Sequence, residues 1–289
     1  MRLSPIVLLS LCALPLSLPA TSIPALAQQT QTAPTDDPLA PAVAALDKGD
    51  VKAAAKGFED AWNAGNADAG FYLGRFYELG LGTAKNPARA TEFYRAAAEK
   101  GSAEAQNRLG LMYLDGRGVV RDYKEGARLV CAAADQGDAN GAFNCGVVYM
   151  NGRGMAKDEA KAVAEWTKAA DQGHIAARNL LGLALKNGTG IKADPAKAVA
   201  LFQKTADQGN ALGLYEMALA YQSGTGITED LGEAYVYANL AAARNHPDAA
   251  KLRDQLEEKL SAEDLAKAQE EARTKMDALR AGTAAKANP

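Results

Sequence analysis

The sequence predicts an all-α fold, an α/α solenoid in which helix–turn–helix repeats stack into a right-handed superhelix. A glycine recurs every 36 residues, and a fixed period of this length is typical of stacked repeat arrays. Each unit holds two stretches of helical apolar periodicity separated by a Gly-x-Gly turn. The chain is 48% hydrophobic but only 6% aromatic, and its many alanines favour closely packed helices. The recurring glycines are Gly65, Gly101, Gly137, Gly173 and Gly209.

The N-terminal segment has the features of a secretory signal peptide. Arg2 is its basic residue, an apolar stretch covers residues 6–18, and residues 25–27 form a small-x-small cleavage site. The alternatives are a membrane anchor, for which the uninterrupted apolar run is too short, and a lipoprotein using Cys12, which a bulky leucine precedes. We therefore expect cleavage after Ala27 and export to the periplasm, or secretion.

The segments that flank the repeats predict disordered ends and capping helices. Residues 28–39 are polar and proline-rich, which predicts a disordered linker, and residues 281–289 predict a disordered tail. Residues 40–65 predict N-terminal capping helices, and residues 246–280 predict C-terminal capping helices. The last of these begins with a segment resembling a capping box, residues 261–264, and its charged outer face would close the stack.

Five units fill residues 66–245, and each predicts helix A, a turn, an N-cap and helix B in that order. Four residues after the second turn glycine, every unit has an Asn or Asp, whose side chain can accept from backbone N–H groups at the start of helix B. Small residues recur where the two helices must approach closely, and larger apolar residues alternate with them. The predicted caps are Asn86, Asp122, Asp158, Asp194 and Asp230.

The recurring pattern is A-x-A-x-x-x-L-G-x-x-Y-x-x-G-x-G-[VI]-x-x-D followed by A-x-x-[WFY]-x-x-A-A-x-x-G. It resembles the Sel1-like repeat family, which is related to the tetratricopeptide repeats (TPR), and the resemblance covers the five units. The chain departs from the pattern at Cys145, Leu185 and Asn245. The resemblance implies a Sel1-like, TPR-like solenoid that binds a protein or peptide without a cofactor.

Two cysteines remain after the predicted cleavage, Cys131 on helix B of one unit and Cys145 on helix A of the next. Some disulfide-rich proteins resembling this family bridge the same helix pair nearer the turn. Here both cysteines step back by about three residues, roughly one helical turn, so they could still face each other. An exported chain with two cysteines fits one disulfide. The alternative is two buried thiols, which the leucine usual at the position of Cys145 also favours.

Motifs for catalysis, metal binding or nucleotide binding do not occur in the sequence. His174 and His246 fall at one repeat position, where the other units carry polar turn or cap residues. Zinc-type Cys/His spacing, a P-loop and S-x-x-K are all absent from the mature chain. The net charge of −3 gives no electrostatic reason to expect nucleic acid or an anionic membrane as partner. We therefore expect a protein that is not an enzyme and holds no cofactor or metal.

A partner would bind the face formed by the A helices, which line the concave side of related helical arrays. If the Leu-Gly pair of the family fixes the register, the residue two before each Leu faces this groove, and these residues alternate between aromatic and Asn. An extended peptide needs pockets for its side chains, which the aromatic residues can form, and amide groups for its backbone, which the asparagines supply. The alternative is that these residues pack between repeats. The predicted groove residues are Phe71, Arg75, Asn107, Leu111, Phe143, Val147, Asn179, Leu183 and Tyr215, with Leu219 beside them and a further row of Glu78, Leu114, Met150, Lys186 and Gln222.

The leading interpretation is a periplasmic scaffold or adaptor that binds a protein or peptide in the concave groove. Some exported proteins of the family restrain membrane signalling receptors or act in envelope maintenance, so regulation of envelope signalling is a narrower expectation. The alternatives are an enzyme that acts on the cell wall or on β-lactams, and a structural array that assembles with itself.

Overall fold

The computed structural model describes residues 37–287, with side chains described as far as residue 281. This part of the chain forms fourteen α-helices and no β-strand. It divides into two compact units, with the boundary between Gly57 and Phe58. The predicted signal peptide, its cleavage site and most of the predicted linker, residues 1–36, lie outside the described residues. Among the described helices, none combines the length and the apolar character needed to cross a membrane.

The described part of the first unit consists of one short helix and most of the next. Helix α1 spans Ala40–Asp47, with a proline in its first turn, and α2 spans Val51–Asn63, so its last residues belong to the second unit. The two helices approach closely at Gly57, where a Cβ atom would lie 2.8 Å from the Cβ of Ala42. The chain is thus helical where capping helices are predicted, in residues 40–65.

The second unit is a solenoid of helix pairs, which confirms the predicted fold class. Each repeat contributes one helix A and one helix B, and consecutive helices pack against each other in chain order. The A helices are α3 (Ala67–Leu79), α5 (Ala103–Asp115), α7 (Ala139–Asn151), α9 (Ile175–Asn187) and α11 (Ala211–Ser223). The B helices are α4 (Pro87–Glu99), α6 (Tyr123–Asp135), α8 (Glu159–Asp171), α10 (Pro195–Ala206) and α12 (Leu231–Ala243). Two further helices follow, α13 (Ala249–Glu257) and α14 (Ala262–Ala287).

The ends of the repeat helices follow from local sequence. Helix α5 ends at Gly116, whose φ of 71° is the left-handed conformation that glycine adopts without steric cost. Helix α6 begins after Asp122, whose side chain accepts from the backbone N–H groups of Lys124 and Glu125 at 2.9 and 3.0 Å. The other repeats are capped in the same way, as predicted, by Asn86, Asp158, Asp194 and Asp230.

The second turn glycine of the third, fourth and fifth repeats is required by the stacking of repeats. A Cβ atom at Gly154 would collide with the backbone carbonyl of Tyr123, which lies at the start of helix B in the preceding repeat. Gly190 meets the carbonyl of Glu159 in the same way one repeat later. The turn backbone therefore packs directly on the previous helix B, and any side chain at this position would separate the two repeats.

The sizes of the side chains between helix A and helix B compensate for each other. A Cβ atom at Gly182 on α9 would lie 2.6 Å from Cε1 of Phe202 on α10, so the glycine leaves room for the aromatic ring. In the fifth repeat both equivalent positions hold alanine, and Ala218 and Ala238 are fully buried. In these two repeats the space between the helices is thus filled either by glycine and a ring or by two alanines.

A disulfide joins α6 to α7, which confirms the bridge predicted between Cys131 and Cys145. Their Cα atoms are 4.9 Å apart, within the range that a disulfide spans. Cys145 is only 2% exposed, so its sulfur also fills the core position at which the family pattern has leucine. The bridge cross-links the second repeat to the third.

The second unit ends in a long helix that is capped as the sequence predicts. Ser261 Oγ accepts from the backbone N–H of Asp264 at 3.1 Å, and α14 then packs against α12. The helix continues to Ala287, although residues 281–289 are predicted to form a disordered tail. Four of the seven residues from 281 to 287 are alanine, which favours helix and propagates the preceding turns.

Candidate functional site

The surface formed by α3, α5, α7, α9 and α11 is called the A face below. Neighbouring A helices are joined by side chains that cross from one to the next. Asn144 on α7 donates to Asn107 on α5 at 2.8 Å, and Lys186 on α9 pairs with Glu216 on α11 at 2.6 Å. The rows of residues predicted for the groove therefore lie along helices that adjoin in space.

The three aromatic residues predicted for the groove are half-buried. Phe71 contacts aromatic rings of its own repeat, and the other two stack on a histidine further along the chain. The ring of Phe143 lies 4.6 Å from that of His174, and the ring of Tyr215 lies 4.0 Å from that of His246, with nearly parallel planes in both pairs. Each ring buries one face against the next repeat or the helix that follows and leaves part of its surface to solvent. These aromatics thus pack between repeats and also contribute to the A face.

The two asparagines predicted for the groove are buried. Asn179 is 4% exposed; its amide group donates to Asn210 at 2.8 Å, and its carbonyl oxygen accepts from Thr205 at 2.8 Å. The carboxamide of Asn179 therefore links α9 to α10 and to the cap of α11. Asn107 is 9% exposed, and its oxygen accepts the bond from Asn144. Packing between repeats, the alternative interpretation, accounts for the contacts of Asn179.

The middle of the A face is an apolar strip, defined here as Leu111, Val147, Leu183 and Leu219. These four side chains come from four successive A helices, and each packs against the buried core while remaining partly exposed. Leu114 and Met150, which lie beside them, also pack against the buried core and are partly exposed. A row of partly exposed apolar side chains on adjoining helices can bury surface on a partner without any change in the fold.

A cluster of charged residues lies at the end of the A face formed by the first two repeats. Glu78 accepts from the hydroxyl of Tyr94 at 2.6 Å, pairs with Arg75 at 3.5 Å and contacts Arg108 on the next A helix. Burial raises the pKa of Tyr94, so its hydroxyl stays protonated and acts as a donor. Burial, together with repulsion from Arg75 and Arg117, lowers the pKa of Arg108 to about 10.

The opposite end of the A face carries a neutral ion pair beside a small cavity. The pair is formed by Lys186 and Glu216, and Glu216 is 7% exposed. The cavity next to it, also lined by Phe202 and Ser223, has a volume of about 40 Å³. This volume holds roughly three water molecules, which is too little for a peptide side chain of ordinary size.

Two titratable groups lie at the edge where the A helices begin. Burial and the neighbouring carboxylates of Asp68 and Asp138 raise the pKa of Glu104 to about 6. His174 caps α9, because its Nδ1 atom accepts from the backbone N–H of Ala177 at 3.1 Å, and burial lowers the pKa of its imidazole. In residues 37–281 no group of three or more His, Cys, Asp or Glu side chains is placed to hold a metal ion.

All five repeat segments match the same protein family. The Sel1 repeat profile matches the chain at residues 67–102, 103–138, 139–174, 175–210 and 211–246. Among curated proteins, none matches the chain in sequence.

Two solved structures resemble the chain closely. A Sel1 repeat protein from Oxalobacter formigenes has 26% sequence identity and a TM-score of 0.70, covering 84% of this chain and 96% of its own. A protective antigen present in uropathogenic Escherichia coli strains, described as displaying an SLR fold, has 30% identity and a TM-score of 0.67 and covers 78% of this chain. The chain spans 49%, about half, of the length of that antigen.

Proposed function

Because the chain belongs to the Sel1 repeat family, whose members generally mediate protein–protein interactions, we propose that it is a non-enzymatic adaptor that binds a protein or peptide along its A face. The Sel1 repeat fold is typically a binding scaffold. The observation that carries the proposal is the apolar strip, which extends across four successive A helices with polar groups at both of its ends.

The residues of the A face have different roles in this proposal. The apolar strip supplies the contact area, and the exposed edges of the aromatic rings border it. The asparagines position the helices that present these side chains, because their carboxamides are bonded within the protein. The proposed groove consists of Phe71, Arg75, Asn107, Leu111, Phe143, Val147, Asn179, Leu183 and Tyr215.

We place this activity in the periplasm. The disulfide between Cys131 and Cys145 suits an oxidising compartment, and the similar solved structures come from bacteria. Regulation of envelope signalling is the narrower form of the proposal. It requires that the partner be the exported part of a membrane receptor.

Site-specific photocrosslinking in intact cells tests both the surface and the partner. A crosslinking amino acid replaces Leu183 in the apolar strip, and the matched control replaces Leu201, a half-buried leucine on the B helix α10. We expect a discrete crosslinked species from position 183 alone. The same species from both positions, or none from position 183, would refute binding at the A face.

Mass spectrometry of the crosslinked species then separates the narrower alternatives. The exported part of a membrane receptor supports regulation of signalling. Cell-wall enzymes support a role in envelope maintenance. A second copy of the chain supports self-assembly, which light scattering of the purified protein checks independently.

A further inference from the structure

The charged cluster on the first two repeats contains more hydrogen-bond donors than acceptors. Each guanidinium offers five N–H groups, so Arg75 and Arg108 together offer about ten, whereas a carboxylate has about four lone-pair sites. Glu78 already accepts from Tyr94 and contacts both arginines. The Nε atom of Arg108 is buried and has no hydrogen-bond partner among the described residues. A buried donor without an acceptor costs free energy, so the cluster lacks an acceptor.

The charge of the cluster points to the same conclusion. Two arginines and one glutamate leave a surplus of one positive charge. The next charges along the surface, Arg117 and Asp115, pair with each other at 2.6 Å and so do not remove it. Burial is the main cause of the lowered pKa of Arg108; repulsion from Arg75 adds to it, and the effects of Arg117 and Asp115 oppose each other.

The cluster can be reached by a ligand that lies along the A face. The side chains of Arg75 and Arg108 are 27% and 22% exposed, so neither is sealed in the core. Arg108 is followed along α5 by Leu111, the first member of the apolar strip. The opposite end of the A face carries the neutral pair of Lys186 and Glu216 and shows no such surplus. An extended peptide on the apolar strip would therefore meet excess positive charge at one end only.

We infer that Arg75 and Arg108 bind an acidic side chain, Asp or Glu, of an extended peptide segment whose apolar residues cover the strip. The inference rests on the proposed function and adds the chemical class of the partner. A carboxylate accepts from the exposed N–H groups of the two guanidiniums, whose planar geometry it matches, and it neutralises the surplus charge. Glu78 and Tyr94 hold the two arginines side by side and are positioning residues.

Selection from a random peptide library displayed on phage tests the inference. The targets are the wild-type protein, Arg75→Gln, Arg108→Gln and the matched control Arg128→Gln. Arg128 is an exposed arginine on the B helix α6 that pairs with Glu125, so its replacement makes the same charge change away from the A face. Thermal melting of each variant verifies folding, and Arg75→Gln serves as the second variant if the less exposed Arg108 proves necessary for stability.

We expect peptides selected by the wild type and by Arg128→Gln to be enriched in Asp or Glu beside apolar residues. Selection by Arg75→Gln or Arg108→Gln should lose the acidic enrichment. Replacing the enriched Glu by Gln in a synthetic peptide should weaken binding to the wild type about tenfold, and the effect should shrink at high salt.

Peptides that bind the wild type without acidic enrichment would overturn the inference and leave peptide binding in place. So would enrichment that persists in both arginine variants. Failure of the wild type to select any peptide would overturn peptide binding itself, and this inference with it.

Discussion

The disulfide provides a test of how far one cross-link stabilises a repeat array. Cys131 and Cys145 are separated by 14 positions in the chain, so the bridge closes a loop of about 15 residues. In the chain-entropy account, a loop of this length restricts the unfolded chain enough to stabilise the folded state by about 3 kcal/mol. Reducing the bridge should remove this contribution while leaving every side chain of the core in place.

The expected loss is local, because each repeat contacts only its neighbours. The assay is hydrogen exchange of the purified protein with and without a phosphine reductant. Amides of α6 and α7 should lose about 100-fold of their protection, which corresponds to 3 kcal/mol. Amides of α11 and α12, two repeats away, should change little. Urea unfolding followed by circular dichroism should show the same loss as a shift of the first part of the transition.

The double variant Cys131→Ala/Cys145→Ala is the control, since reductant should have no effect on it. Unchanged protection of α6 and α7 after complete reduction would refute the loop-closure reasoning. An equal loss at all amides would instead show that the array unfolds as one unit and would refute the local treatment.

Three further variants test packing and electrostatics through their urea midpoints. Gly182→Ala should destabilise the protein by about 1–3 kcal/mol, because its methyl group would meet Phe202 at 2.6 Å, and adding Phe202→Leu should recover part of the loss. The pKa of Glu104 is about 6 in the folded protein, compared with 4.5 in the unfolded chain. Its contribution to the free energy of unfolding is therefore fully present below pH 4.5 and is lost as the pH rises through 6. Glu104→Gln should therefore be more stable than wild type above pH 6, by about 2 kcal/mol at most, and equal stability at about pH 8 would contradict this. Burial lowers the pKa of His174 in the folded protein below the 6.5 of the unfolded chain. The protein should therefore lose stability as the pH falls below 6.5, because the unfolded state binds the proton more readily. His174→Asn keeps a capping acceptor and should abolish that part of the loss, which titration of both proteins between about pH 5 and pH 7 would detect.

Most of the helical architecture follows from interactions over a few residues, which is why it could be predicted. Asp122 caps α6 through backbone groups two and three positions away, and Gly116 ends α5 through its own φ angle. The bridge between Cys131 and Cys145 crosses a single turn between two adjacent helices. Each of these interactions repeats or closes within one period, so the order of residues contains the information needed to infer it.

The candidate site depended on knowledge that the order of residues does not supply. The register of the family pattern brought Asn179 and Phe143 to notice, but not the contacts that they make. Asn179 meets Thr205 and Asn210 at sequence separations of 26 and 31 residues, and Phe143 stacks on a histidine of the next repeat. The excess of hydrogen-bond donors at Arg108 likewise could not be predicted from the sequence, because it depends on which acceptors the neighbouring helix brings within reach.

The sequence alone therefore determined the repeat, its helices and their caps, because short-range geometry governs each of them, whereas it left the disulfide open against two buried thiols. The tertiary structure decided which surface residues are bonded within the protein and which keep unused donors. Those outcomes depend on the distance and rotation between successive repeats. Both quantities arise from packing details such as the contact of Gly154 with the backbone of Tyr123, and the 36-residue period does not specify them.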